Sequence, residues 1–207
     1  MMYNLNHLAR LREIMALQSS HPRATFPVTL QADILKPATV CPKKENCISL
    51  SEYGLGFYNK KKLSRFQDIG KYHLNKDDIL SFTLHNQSKQ DYYCYLINIS
   101  PDGTIFSIFP DPDERMEYAR VNSGEKKELI DNVILDLNNV GEQSLKLIVT
   151  THPIQISLLQ KGGYRNKNNL NSLEQLLVSA AHGQRARILR LSNDKWFTKQ
   201  VTFEVNK

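Results

Sequence analysis

Cys94 and the six histidines are the residues of this 207-residue chain with the shortest route to covalent chemistry. A cysteine nucleophile needs an imidazole within hydrogen-bond reach to form thiolate, and His85 and His152, each close to the end of an apolar run, are the candidate partners. Such a pair would make the chain a cysteine hydrolase. Cys94 sits between Tyr93 and Tyr95 inside "YYCYLINI", however, where a substrate has poor access, and the residues read better as a strand with a small buried hydrophobe. Serine chemistry lacks a G-x-S-x-G elbow. Gly54-Leu55-Gly56 lacks the third glycine and the strand-to-helix setting of a phosphate cradle. Asp111, Asp113 and Glu114 offer hard oxygen ligands, but without the spacing and glycine of a calcium loop they read as a solvated turn. In "CPKKENC", Cys41 and Cys47 have no second Cys or His pair to complete a zinc site. They suit a disulfide in an oxidising compartment, with reduced thiols as the default. No catalytic residue, metal or cofactor is expected from these positions.

His182-Gly183 matches the His-Gly step of caspase-type peptidases, where it follows a strand; here it follows a helix, and no Q-A-C-[RQG]-G segment accompanies it. A helix end closed by glycine, with the imidazole near the negative end of the dipole, accounts for it. Positive charge gathers in "NKKKLSR", with Lys60, Lys61 and Lys62, and in "GQRARILR", with Arg185, Arg187 and Arg190. Those six residues are the candidate partner-binding positions. Neither patch interleaves aromatics or lies on a recognition helix, so a solvated loop and a solvated edge are expected and nucleic acid is disfavoured as the partner.

The elements that would hold these residues are mostly strands. "FPVTLQADIL" (Phe26 to Leu35) alternates Phe26, Val28 and Leu30 with polar residues. Residues 36–67 read as a long decorated connection with room for an edge strand. From Asp78 to Asn86 strand character resumes, with Leu80, Phe82 and Leu84 inward. Tyr92 to Ile99 is apolar on both faces and should be a central strand. Ser100-Pro101-Asp102-Gly103 then makes a tight turn into Thr104 to Phe109, which Pro110 and Pro112 terminate. Further strands are expected at 125–130, 145–151, 154–160 and 196–205. Leu5, Leu8, Leu11 and Met15 fall at helical spacing and predict a docking helix within residues 1–22. Ser172 and Gln175 form a capping box that starts a helix over 172–182, ended by Gly183. The pattern predicts a mainly β chain: an antiparallel β-sandwich, immunoglobulin-like or related, over residues 23–207, with the two helices on its rim.

Charged residues at 23% and a net charge of +6 describe an ordinary soluble composition, and no apolar run is long enough to span a bilayer as a helix. Arg10, Arg12 and Glu13 interrupt the opening segment where a secretion signal would be apolar, so the default compartment is the cytoplasm.

Three consecutive segments, "LSFTLHNQSKQDYYCYLINISPDGTIFSIFPDPDE", "VNSGEKKELI" and "GEQSLKLIVTTHPIQISLLQ", share an order of motifs: a Tyr-rich strand, an Asp-Gly turn, a strand ending in Phe-Pro, a glycine, then E-x-x-L-K-L-I-x-T closed by proline. Asp102, Gly103, Phe109, Pro110, Gly124, Glu142, Leu145, Lys146, Thr150 and Pro153 fill that pattern, and the closing strand at Trp196 extends it. The pattern resembles domain of unknown function 4384, a β-rich domain found mostly C-terminal to bacterial caspase-like (metacaspase-type) peptidases. The resemblance implies structural roles for these residues and a non-catalytic accessory module. Its partner would be a protein or peptide, a caspase-like peptidase domain among the candidates. The peptidase domain that supplies the catalytic His and Cys in such proteins has no counterpart in these residues, so no catalytic residue carries over.

Overall fold

The computed structural model describes residues 11–12, 14–19, 25–41, 46–63, 65–129, 134–155, 173–175, 178 and 195–207. In chain order the strands are β1 (Val28–Ala38), β2 (Cys47–Ser49), β3 (Phe57–Lys62), β4 (Leu74–Asn75), β5 (Ile79–Asn86) and β6 (Tyr92–Ile99). They continue as β7 (Ile105–Phe109), β8 (Arg120–Val121), β9 (Lys126–Glu128), β10 (Ile134–Asp136), β11 (Gly141–Thr150) and β12 (Trp196–Asn206). One sheet runs β10-β5-β1-β3-β2, with β9 also on β5; the other runs β4-β12-β11-β6-β7, with β8 also on β6. All pairings are antiparallel except β4 with β12. The expected mainly β, sandwich-like architecture is what the chain adopts.

Period-two alternation decides which side chains meet between the sheets. Val28, Leu30, Ala32 and Ile34 of β1 and Leu80, Phe82 and Leu84 of β5 face Tyr92, Cys94 and Leu96 of β6 and Leu145, Leu147 and Val149 of β11 in one buried core. The opposite faces of β6 and β11 are also apolar, and the reason is visible. Tyr95, Ile97, Ile99 and Ile148 form a second core with Ile14, Ile154, Leu173 and Trp196 on the outer side of that sheet. Both faces of β6 are dry, so it reads as a continuous apolar run.

The N-terminal helix therefore lies across the outer face of the second sheet and not on the rim. Its described residues, Leu11–Arg12 and Ile14–Ala16, are helical, with Ile14 fully buried. Thr198 Oγ1 donates to the Leu17 carbonyl at 3.2 Å and the Trp196 indole to that of Gln18 at 3.0 Å. Leu173–Gln175 and Val178 are helical as expected; the rest of 172–182, most of the strand expected at 154–160, and Leu5 and Leu8 lie outside the described residues.

Residues 36–67 hold more order than a decorated loop. β2 and β3 extend the first sheet beyond β1, and a disulfide joins Cys41 to Cys47 (Cα to Cα 5.5 Å) where the chain enters β2. A 3-10 helix at Phe66–Lys71 closes the same side of the sandwich, burying Phe66 and Ile69. It approaches β12 so closely that a Cβ on Gly70 would stand 2.7 Å from the Thr202 carbonyl oxygen. Neither backbone can move aside cheaply, so Gly70→Ala should destabilise the fold by about 1–3 kcal/mol, read as a lower urea midpoint at unchanged m-value.

Candidate functional site

Among the described residues, the side of the sandwich opposite the 3-10 helix is open. β7 ends the second sheet there, and among the described residues no strand pairs with its outer edge. Across the gap stand β9 and β10, the near edge of the first sheet. A cleft of about 740 Å³ lies between them, lined by Phe106, Ser107, Ile108, Phe109, Asp111, Glu114, Tyr118, Lys127, Glu128, Leu129 and Leu135. Ile108, Phe109, Leu129 and Leu135 are buried members of the main core, so its floor is the exposed side of the core itself.

Local chemistry shapes both walls. Asp102 accepts the Thr104 N–H at 2.8 Å and Gly103, at φ 81°, closes the turn onto the Ser100 carbonyl at 2.8 Å, so the β6–β7 hairpin is fixed at its tip. At its other end Phe109–Pro110 is cis, the Ser107 hydroxyl donates to the Pro110 carbonyl at 2.7 Å, and the strand stops. The loop that follows ties itself together: Asp111 Oδ1 accepts the Asp113 N–H at 2.9 Å, and Glu114 Oε2 accepts the Asp111 N–H at 3.2 Å. Of its carboxylates Asp111 and Glu114 line the cleft, and no group of three His, Cys, Asp or Glu suited to a metal exists among the described residues. On the opposite wall the Lys127 ammonium donates to the carbonyls of Tyr118 (2.9 Å) and Arg120 (3.2 Å) and lies 5.1 Å from the Phe109 ring centre. Glu128 pairs with Lys126 at 2.6 Å, and this contact holds its carboxyl below the usual range.

The residues singled out from the sequence fall elsewhere or at the margins. Lys60, Lys61 and Lys62 are strand residues of β3 and not part of a loop; Lys60 pairs with Asp33 at 2.8 Å and Lys61 lies over the Tyr72 ring at 4.3 Å, so two of the three charges are already engaged. Arg185, Arg187 and Arg190, like His182, lie outside the described residues. Of the motif residues, Phe109 lines the cleft and Asp102, Gly103 and Pro110 shape it from either end of β7. Gly124 takes φ 74° in the turn before β9. Glu142 is an exposed β11 residue opposite Glu204, and Thr150 pairs with Trp196 at the far end of the same ladder. Pro153 follows, half-buried. The cleft itself went unread, because its walls come from segments some twenty residues apart that carry no shared motif.

Cys94 is fully buried between the sheets, and desolvation pushes its thiol pKa upward, opposite to the depression a nucleophilic thiolate needs. His85 is half-exposed on β5, its ring Nδ1 3.3 Å from the Gln87 amide, and His152 is exposed beyond β11. A thiol reagent should therefore label Cys94 only as fast as the chain unfolds, with the rate rising in parallel with urea-induced unfolding; prompt labelling of the folded chain would show the site to be open.

No protein-family model matches the chain, and neither curated proteins nor solved structures gave a match. The resemblance to domain of unknown function 4384 stands on the quoted motifs alone.

Proposed function

We propose that this chain is a non-catalytic binding module whose open side, between β7 and the β9–β10 edge, receives a segment of a partner protein. The cleft carries the reading: it joins a strand edge that no described strand pairs with to an apolar floor, and it is rimmed by Tyr118, which is 55% exposed. Exposed tyrosine beside a dry floor is the composition from which binding hot spots are made. An edge strand with free backbone groups accepts an extended peptide as a further strand. The motif resemblance adds a partner class, a caspase-like peptidase domain or a protein it acts upon.

The test is a selection of displayed peptides on the folded chain, repeated on Phe106→Glu and Tyr118→Ala. Phe106 is half-buried and Tyr118 exposed, so at least the second variant keeps the wild-type fold. Selected peptides should lose about tenfold or more in affinity on Tyr118→Ala, the loss of one aromatic anchor. Peptides that bind both variants as well as wild type would move the function away from this cleft.

A further inference from the structure

We infer that the segment received by the cleft is an extended strand bearing lysine or arginine at the end that meets the 111–114 loop, with apolar side chains at alternate positions before it. The inference rests on the binding-module reading and deepens it.

Shape gives the alternation. β7 is five residues long, and a strand laid along its free edge presents every second side chain to the same face. That face is the floor formed by Phe106 and Ile108 on one side and Leu129 and Leu135 on the other. Apolar side chains at alternate positions of that strand meet this floor.

Charge gives the polarity. Among the described residues that line it, the cleft holds one cation, Lys127, and three carboxylates, Asp111, Glu114 and Glu128, and they are not equally engaged. Lys127 spends its ammonium on two backbone carbonyls, and Glu128 is matched by Lys126. Asp111 and Glu114 accept backbone N–H groups of their own loop, and among the described residues no basic side chain forms an ion pair with either. Unbalanced negative charge therefore sits at the Phe109 end of β7. A cation on the incoming strand supplies the missing partner there, and an acidic residue at that point meets like charge beside a low-dielectric wall.

The probes are two fluorescein-labelled nonapeptides with a common Thr-Val-Thr-Ile-Thr-Val half, one continuing Lys-Arg-Lys and the other Glu-Asp-Glu, titrated against the full chain by anisotropy at low and at high salt. The basic peptide should bind about tenfold or more tighter than its acidic twin, with the gap narrowing as salt screens it. Asp111→Asn combined with Glu114→Gln keeps the acceptors of the loop and should abolish the preference while leaving residual binding of both peptides. Tyr118→Ala should weaken both alike. Equal binding of the twins, each weakened by Tyr118→Ala, overturns the charge inference and leaves the binding module standing. Binding of neither peptide, alongside self-association that Tyr118→Ala disrupts, overturns it in favour of a second copy of this chain as the occupant. A preference that survives the double substitution places the recognising carboxylates elsewhere and overturns it too.

Discussion

Lys146→Ala should cost about 2–4 kcal/mol and loosen the N-terminal helix from the sheet. Lys146 is 1% exposed on β11, and its ammonium donates to the carbonyls of Ile14 (2.8 Å) and Met15 (3.0 Å) and to Gln200 Oε1 (3.3 Å). Three N–H donors meet three acceptors, and two of these are carbonyls at the end of a helix, which have no partner within it. Truncation leaves those carbonyls buried and unmatched and removes a long packed stem. Urea unfolding reads the loss, and faster amide exchange at Leu11 to Ser19 locates it.

The same residue sets a pH dependence. Burial lowers the Lys146 pKa from the ordinary lysine value of 10.5 to about 8. Below pH 8 the group is charged in both folded and unfolded chains; between about 8 and 10.5 the unfolded chain alone keeps the proton. There the unfolded state binds more protons, so stability rises with pH, by up to about 3 kcal/mol over the window. Lys146→Met should lack that rise. Its stability curve, subtracted from that of the wild type over this range, isolates the lysine from every other titrating group. A flat difference would mean that the three acceptors compensate desolvation fully.

How much of this was legible before the structure follows from the range over which each signal acts. The β6–β7 hairpin was readable because Ser100-Pro101-Asp102-Gly103 encodes its own turn and the flanking runs are apolar, both local properties. β11 announced itself as a continuous apolar run and β12 by the alternation of Val201, Phe203 and Val205 with polar residues. β4, β8 and β10 are two or three residues long and carry no period; they exist because longer neighbours offer free edges. The lysines of β3 looked like loop residues because a strand with charges on three successive residues, hence on both faces, and little apolar content has no signature. Lys146 did leave a signal that went unused: a single cation inside "LKLIV" on a strand apolar on both sides must find acceptors or lose its charge. The cleft left none, being a meeting of β7 with β9 and β10 that only the topology creates.

The strand at the centre of the quoted hairpin carries the other large effect. Tyr95 is fully exposed to nothing but protein: it is the largest fully buried side chain of the second core, packed where the N-terminal helix covers the sheet, and its hydroxyl accepts the Ile154 N–H at 2.8 Å. Tyr95→Ala opens a cavity the size of an aromatic ring and should cost about 3–5 kcal/mol, a large share of the roughly 5–15 kcal/mol that holds a domain together. Tyr95→Phe keeps the ring and strips only the acceptor, leaving one buried N–H unmatched at a cost of about 1–3 kcal/mol. The pair separates packing from hydrogen bonding in one thermal-melt series. Desolvation first, and then neighbouring groups, also push the Tyr95 pKa above the ordinary phenol value of 10.0 despite the Ile154 N–H. A phenol whose folded pKa is raised stabilises the fold below pH 10 and loses that contribution as pH climbs further, opposite in sign to Lys146. Wild-type stability should thus climb from about pH 8, driven by the lysine, and fall above pH 10, driven by buried tyrosines, with Tyr95→Phe flattening the descent. A descent as steep in Tyr95→Phe as in wild type would assign it to Tyr58 and Tyr92, whose phenols burial also shifts upward.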